Sequence, residues 1–317
     1  SPITNHQSPI TNHQSPITNH LSPFTNHQSP ITNHLSPFTF HLSPHSPMLP
    51  SRLSINHYSI RQWDLPQLVR GCQSVGISSV GLWRDKVNAV GLETSRRLVE
   101  EANIAVSSLC RGGFFPYSSE EERTKTIADN RRAVDEACAL GAPLLVLVCG
   151  GLTSAGLEQS RQMVFDGVAA LTPYAQARGV KLGIEPLHPM FTANRSVIST
   201  LAQATDLATH FPHDTVGIVL DAYHVWWDPH LYQEIDRASG RIFAFHVSDW
   251  LASPPDFLNG RGLMGDGCIE FPKLVAAVNR AGYQGPIEVE IFNEQLWSLP
   301  GDEVLNLIQK RFTQFIH

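Results

Sequence analysis

The chain has 317 residues, 42% of them hydrophobic, and a formal net charge of −6, a balance that argues against a nucleic-acid-binding surface. No apolar run approaches the ~20 residues of a membrane span, and no basic start followed by a long apolar stretch marks a signal peptide. The five cysteines, Cys72, Cys110, Cys138, Cys149 and Cys268, are odd in number, scattered and mostly set in apolar runs. They read as reduced core thiols of a cytoplasmic protein rather than a disulfide framework.

Residues 1–42 are a heptapeptide repeat, SPITNHQ with Ile→Phe and Gln→Leu variants. Pro recurs at the same place in every copy and there is no a/d apolar seam, which excludes a coiled coil. Seven residues are also too few for a solenoid unit. The DNA heptamer TCACCAA, read three times in succession, encodes Ser-Pro-Ile-Thr-Asn-His-Gln, so the tract reads as a translated DNA repeat. His6, His13, His20, His27, His34 and His41 follow from the same codon arithmetic, which weakens a metal-binding reading. The first Met is Met48, and no Asp, Glu, Lys or Arg precedes Arg52. Residues 1–47 are therefore expected to be a disordered low-complexity segment, with the functional protein starting near Met48.

Residues 48–317, about 270 residues, have an ordinary length for a single α/β barrel. Short apolar runs fall at 53–58, 79–83, 104–110, 144–149, 181–187, 216–222, 242–248 and 286–292. Helix-length segments separate them, with apolar residues at three- and four-residue steps, as in Val275, Val278 and Ala281. Gly141, Gly179 and Gly282 stand where helix C-caps are expected, just before the next strand. Eight βα units in one run predict a closed (β/α)8 TIM barrel, and no Gly-rich phosphate fingerprint follows the first strand.

Four of the strand-like runs end in a carboxylate or an imidazole: Glu185, Asp221, His246 and Glu290. A parallel barrel brings such ends to one rim, and three oxygen ligands with one nitrogen suit a single divalent cation with positions left for substrate. Residues two apart share a strand face, so Glu288 points the same way as Glu290 but one layer deeper. A deep carboxylate needs a partner, which makes Glu288 supporting structure and Glu290 the ligand.

The strings GIEPLHP, LDAYHVWWDP, AFHVSDW, GLMGDGCIEF and GPIEVEIF resemble the xylose-isomerase-like barrel superfamily of sugar isomerases and epimerases, over about residues 52–315. The resemblance implies one divalent ion (Mn²⁺, Mg²⁺, Co²⁺ or Zn²⁺) on Glu185, Asp221, His246 and Glu290. It also implies a substrate-contacting histidine at His224, a catalytic pair in Glu185 and Glu290, a small carbohydrate substrate, and a homodimer or homotetramer. The chemistry stands on its own terms. Moving a carbonyl along a sugar requires taking a proton from the carbon beside it, and a divalent cation stabilises the resulting enediolate. One carboxylate removes the proton and the other returns it.

Around this core, His188 lies on the loop above the fifth strand, and Trp226 and Trp227 can wall a sugar face. His57 and Trp83 end the first two strands at the rim, and Arg111 opens the loop RGGFFP, where it can bind a carboxylate or phosphate. Asp249 is expected to orient a ligand, and the Gly-rich loop 259–267 to close over the site as a lid. Substrate binding is thus assigned to His224, His188, Trp227, Arg111 and His57. The main rival is a lyase resembling inosose dehydratase. An endonuclease-IV-like nuclease fits less well, since the third strand ends in Cys110-Arg111 and no Asp-x-His follows His246. A non-catalytic binding barrel is weakened by the complete ligand set.

Overall fold

The structure, a computed structural model, describes residues 52–316; the low-complexity segment at 1–47 and the proposed start at Met48 lie outside them. Eight parallel strands close into one barrel in chain order. They are β1 (Leu53–Asn56), β2 (Ser79–Trp83), β3 (Ala105–Gly113), β4 (Leu144–Val148), β5 (Lys181–Glu185), β6 (Val216–Asp221), β7 (Ile242–Val247) and β8 (Ile287–Val289). All eight expected strands are present, and the (β/α)8 fold stands.

The connecting helices carry the pattern that the apolar periodicity predicts. Leu65–Ser74 starts on a reciprocal cap, in which Asp64 accepts from the Gln67 N–H at 2.8 Å and Gln67 accepts from the Asp64 N–H at 2.9 Å. It buries Leu65, Leu68, Val69 and Cys72, one stripe at i, i+3, i+4 and i+7. Each such leucine contributes roughly 1.5–3 kcal/mol by leaving water. Gly141, Gly179 and Gly282 have φ of 67°, 67° and 93°, the left-handed cap conformation their positions suggest. Cys72, Cys110 and Cys149 are buried and all five thiols are free, but Cys138 and Cys268 are exposed, so the core-thiol expectation holds for three. Among the described residues, no helix is long and apolar enough to cross a membrane.

Two departures from simple strand geometry shape the lumen. β1 stops at Asn56, whose side chain accepts the Tyr58 N–H at 3.0 Å and turns the chain into a 3-10 helix, His57–Ile60. Between β2 and β3 the register slips, pairing Val80 with Val106 but Gly81 with Ser108, so Ser107 is an extra residue. Through that bulge two consecutive serines reach the same carboxylate, Ser107 at 2.8 Å and Ser108 at 2.9 Å from Glu288 Oε2. Asn56 donates to Glu288 Oε1 at 2.7 Å. Glu288 is thus caged below the C-terminal rim, supporting structure as its depth implied.

The cage needs Gly81 opposite it, because a Cβ there would overlap the Glu288 carboxylate. That carboxylate cannot swing aside without leaving three hydrogen bonds. Gly81→Ala is therefore expected to cost about 1–3 kcal/mol, the range for overpacking a filled interior. Denaturant titration checks this, and an unchanged midpoint would show that the lumen can give way.

Candidate metal centre

The four strand-end residues meet as their register requires. Asp221 pairs with His246 across β6 and β7, and Glu290 follows directly on β8. One ligand atom from each of Glu185, Asp221, His246 and Glu290 lies within 4.8 Å of the others, and all four residues are buried. Among the described residues this is the group of potential ligands that converges in this way. His246 turns Nδ1 toward it, 3.8 Å from Glu185 Oε1 and 3.9 Å from Glu290 Oε2. Its Nε2 faces Glu288 Oε2 at 3.7 Å, and neither ring nitrogen has a hydrogen-bond partner. An orphaned buried imidazole beside three buried carboxylates is an arrangement that a divalent cation completes, so the donor set fits such an ion.

The electrostatics tell the same story. Burial, then Glu290 and Asp221, push the Glu185 carboxyl up to about 8. Burial opposes protonation of His246, but Glu288, Glu290, Glu185 and Asp221 together carry it up to about 9. Glu290 is raised by burial, against the pull of Arg261 and His246. The two glutamates are held differently. Glu290 accepts from Asn56 Nδ2 at 3.1 Å and from Arg261 Nη1 at 3.2 Å, whereas no protein group hydrogen-bonds the Glu185 carboxylate among the described residues.

Arg261 was not among the expected site residues. It is buried, and its Nη1 lies 3.1 Å from Asp221 Oδ2 and 3.2 Å from Glu290 Oε2. It arrives on the loop 259–267, which is not the free lid expected. Asp249 Oδ2 accepts from the N–H groups of Gly265 and Gly267 at 2.9 Å each, and Oδ1 from Trp250 and Ile269. Asp249 and Gly262 also exchange backbone hydrogen bonds at 2.8 Å, and Asn293 holds the Arg261 carbonyl at 2.8 Å. Asp249 therefore orders the arm that delivers Arg261 and does not orient His246. Asn56 was missed as well. Strand alternation marks it, since it shares the inward face with Ser54.

The remaining expected residues divide. His224 lines the cavity over the cluster together with Trp83, Arg111, Glu185 and Arg261. Its Nδ1 accepts the His188 N–H at 3.3 Å, and its Nε2 lies between Arg261 Nη2 at 3.4 Å and Asp221 Oδ2 at 3.6 Å. Burial, outweighing Asp221 and aided by Arg261, holds it down to about 3, so the ring is neutral. His188 and Trp227 stand behind it. The His188 ring stacks on Trp250 at 5.0 Å and meets Trp227 edge-on, and Trp227 Nε1 donates to the His224 carbonyl at 2.8 Å. Both brace His224 without lining the cavity. Trp226 packs on Trp250, with ring centroids 5.6 Å apart. His57 is a correction. It is fully buried and directs Nε2 to the Trp63 carbonyl at 3.1 Å, because the chain turns after Asn56 and sends the next side chain away from the lumen.

A model described as xylose isomerase-like TIM barrel matches residues 69–310. Among solved structures, a protein of Sinorhizobium meliloti 1021 is 44% identical, with a TM-score of 0.82 over 84% of this chain and 98% of that one. A zinc-bound IOLI protein superposes with a TM-score of 0.73 at 19% identity, over 84% of this chain and 98% of its own. The inosose isomerase of Bacillus subtilis (strain 168) is 25% identical over 203 residues, 62% of this chain and 71% of its own length. Relatives of similarly low identity are named as a 3-dehydroshikimate dehydratase of Pseudomonas putida and an L-ribulose-5-phosphate 3-epimerase of Escherichia coli.

One divalent ion per chain is expected by metal analysis, with Asp221→Asn and His246→Ala each weakening it by at least ~100-fold, more than the usual loss for an outer partner. Two or three ions per chain, or undiminished binding in both variants, contradicts the four-residue site. A second expectation concerns pH in the metal-free protein. Glu185 and His246 keep their protons to about 8 and 9, against ordinary values of 4.5 and 6.5. The folded state then binds more protons than the unfolded one, so stability falls as pH rises from 6.5 toward 9. Below 6.5 the sign is opposed by His57 and His224, which burial keeps neutral down to about 4 and 3. Denaturant titrations at steps across pH 6.5–9 are expected to show this decline, and saturating Mn²⁺ to remove it. Flat stability across that window without metal speaks against the crowded-carboxylate picture.

Proposed function

We propose, from the premise that this chain belongs to the xylose isomerase-like TIM barrel family, that it isomerises or epimerises a sugar-like hydroxyketone by proton transfer at a divalent metal centre. The observation that carries this reading is the unequal pair of buried glutamates. Glu185 lines the cavity with no hydrogen-bonded protein partner among the described residues, so its carboxylate is left open to take a proton from a substrate and give it back. Glu290 is pinned by Asn56 and Arg261, which fixes its position for the return of a proton. The two side chains enter from β5 and from the end of β8, well apart around the barrel rim, and so can flank a bound substrate.

A bound divalent ion, with Mn²⁺ or Co²⁺ suited to this oxygen-rich set, supplies Lewis acidity toward the negative charge that develops on the substrate. Arg261 places a guanidinium at the same place and adds a fixed positive charge. His224 turns its neutral ring into the cavity, where it contacts a substrate oxygen, and the His188 N–H and Arg261 hold the ring in place. Trp83, stacked on Tyr58 at 4.0 Å between centroids, walls the cavity and keeps water from the reacting carbon. The dehydratase among the relatives keeps a lyase as the second reading, in which the same first deprotonation is followed by loss of a hydroxyl.

Turnover in D₂O separates these outcomes by proton NMR. The product of the expected reaction carries deuterium at the reacting carbon, and a lyase instead yields an unsaturated product. Glu185→Gln and Glu290→Gln are each expected to lower turnover by about 10²–10⁴-fold at saturating Mn²⁺. Intact transfer of the substrate's own hydrogen sinks the proton-transfer reading.

A further inference from the structure

Two guanidinium groups of the cavity have no ion-pair partner among the described residues. Arg111 and Arg195 both line it beside Glu185 and His224. Arg111 Nη1 is buried without a hydrogen-bond partner. Among the described residues, neither side chain makes an ion pair or a hydrogen bond. Arg261 differs, being paired with Asp221 and Glu290. Once Arg261 and a divalent ion have offset the three clustered carboxylates, Arg111 and Arg195 outnumber the one carboxylate left, Glu288, which Asn56, Ser107 and Ser108 already hold. Burial holds both below the ordinary arginine value, helped by Arg195 acting on Arg111 and by Arg261 acting on Arg195, and Glu185 only partly opposes this at each. Both are half-buried, and a guanidinium drawn partly out of water without an ion pair is disfavoured, here twice over in one cavity.

Both are nevertheless held from a fixed base. The Arg111 guanidinium carbon lies 4.3 Å from the Phe114 ring centre and 6.0 Å from that of Trp83. Phe114 itself sits at φ +54°, a left-handed conformation that a bulky residue adopts only under constraint, and that conformation sets its ring against the guanidinium. The Arg195 carbonyl accepts the Gly150 N–H at 2.8 Å, and its own N–H donates to the Phe191 carbonyl at 2.9 Å. A Cβ at Gly151 would stand 2.6 Å from the Ala193 carbonyl oxygen, so the loops after β4 and β5 lock together only with glycine there. The molecule keeps two unpaired cations in place at a cost, and an anionic ligand removes that cost.

We propose that Arg111 and Arg195 form an anion subsite beside the metal centre, so that the substrate is a hydroxyketone bearing a carboxylate or a phosphate. The hydroxyketone half of this statement rests on the proton-transfer reading, and the subsite does not. Charge-assisted hydrogen bonds from two guanidiniums hold the anion at one end and leave the carbonyl end for the carboxylate cluster. Such an anchor selects among substrates by binding the part that does not react.

Two measurements test it separately from the reaction. Calorimetric titration of the Mn²⁺-loaded protein with inorganic phosphate, and with acetate, reads the subsite without turnover. Arg111→Gln and Arg195→Gln are each expected to weaken binding of at least one anion by about 10- to 100-fold, with bound manganese unchanged. Equal binding by wild type and both variants overturns the subsite. The second measurement compares kcat/KM for matched pairs, a ketopentose with and without a terminal phosphate and a polyhydroxycyclohexanone with and without a carboxylate. The anionic member of one pair is expected to win by about 100-fold, and which pair it is names the anion. In the variants that preference should shrink by about 10- to 100-fold, mainly through KM. The wild-type comparison needs no variant to fold, and equal kcat/KM within both pairs overturns the proposal. No turnover of any compound, with anion binding still lost in the variants, overturns the proton-transfer reading alone and upholds the subsite.

Discussion

Three buried carboxylates and one imidazole share a space 4.8 Å across, and like charges cannot be crowded in that way without a cation or a proton. Much of the rest of the site is organised around that constraint. Arg261 brings a permanent positive charge between Asp221 and Glu290, and Asn56 spreads its two amide hydrogens over Glu288 and Glu290. Below them the Ser107 and Ser108 hydroxyls satisfy the deeper carboxylate. Each is a separate answer to one electrostatic problem.

The same crowding makes the two rim glutamates unequal. Glu290 is committed to Asn56 and Arg261, whereas Glu185 faces the cavity with no hydrogen-bonded protein partner. One carboxylate is held in place and the other is left open to the cavity. Environment, not residue type, separates them. The histidines divide in a comparable way. His246 is driven toward protonation by the four carboxylates around it, while His224 is kept neutral by burial and by the backbone N–H on its Nδ1.

Loops carry much of what strand geometry cannot. The Arg261 arm is tied down at Asp249, Gly262 and Asn293, so a glycine-rich stretch that reads as mobile is in fact a braced support. Glycine serves there for close approach and turning, not for opening. A Cβ at Gly267 would collide with the Trp250 backbone, and Gly265 sits at φ 91°. Arg111 near the end of β3 and Arg195 on the loop after β5 extend the same pattern to the outer cavity, where neither is paired with the cluster.

The barrel and its ligand set were legible in the chain because both rest on local periodicity. Eight apolar runs separated by helix-length segments admit few closed topologies, and a period of two along each strand puts Glu185, Asp221, His246 and Glu290 on the inner face at one end. The depth of Glu288 followed from the same alternation. What the chain could not disclose depends on where periodicity breaks. His57 turns away because β1 ends two residues earlier than its apolar run suggests, and Ser107 joins Ser108 at Glu288 only through a bulge. Arg261 and Arg195 lie in loops, where no repeat dictates direction, and their reach is decided by hydrogen bonds to residues far away in sequence. Sequence determines which residues can share a face. Only tertiary packing decides which charges come close enough to require one another, since Coulomb energy depends on distance in space and not on separation along the chain.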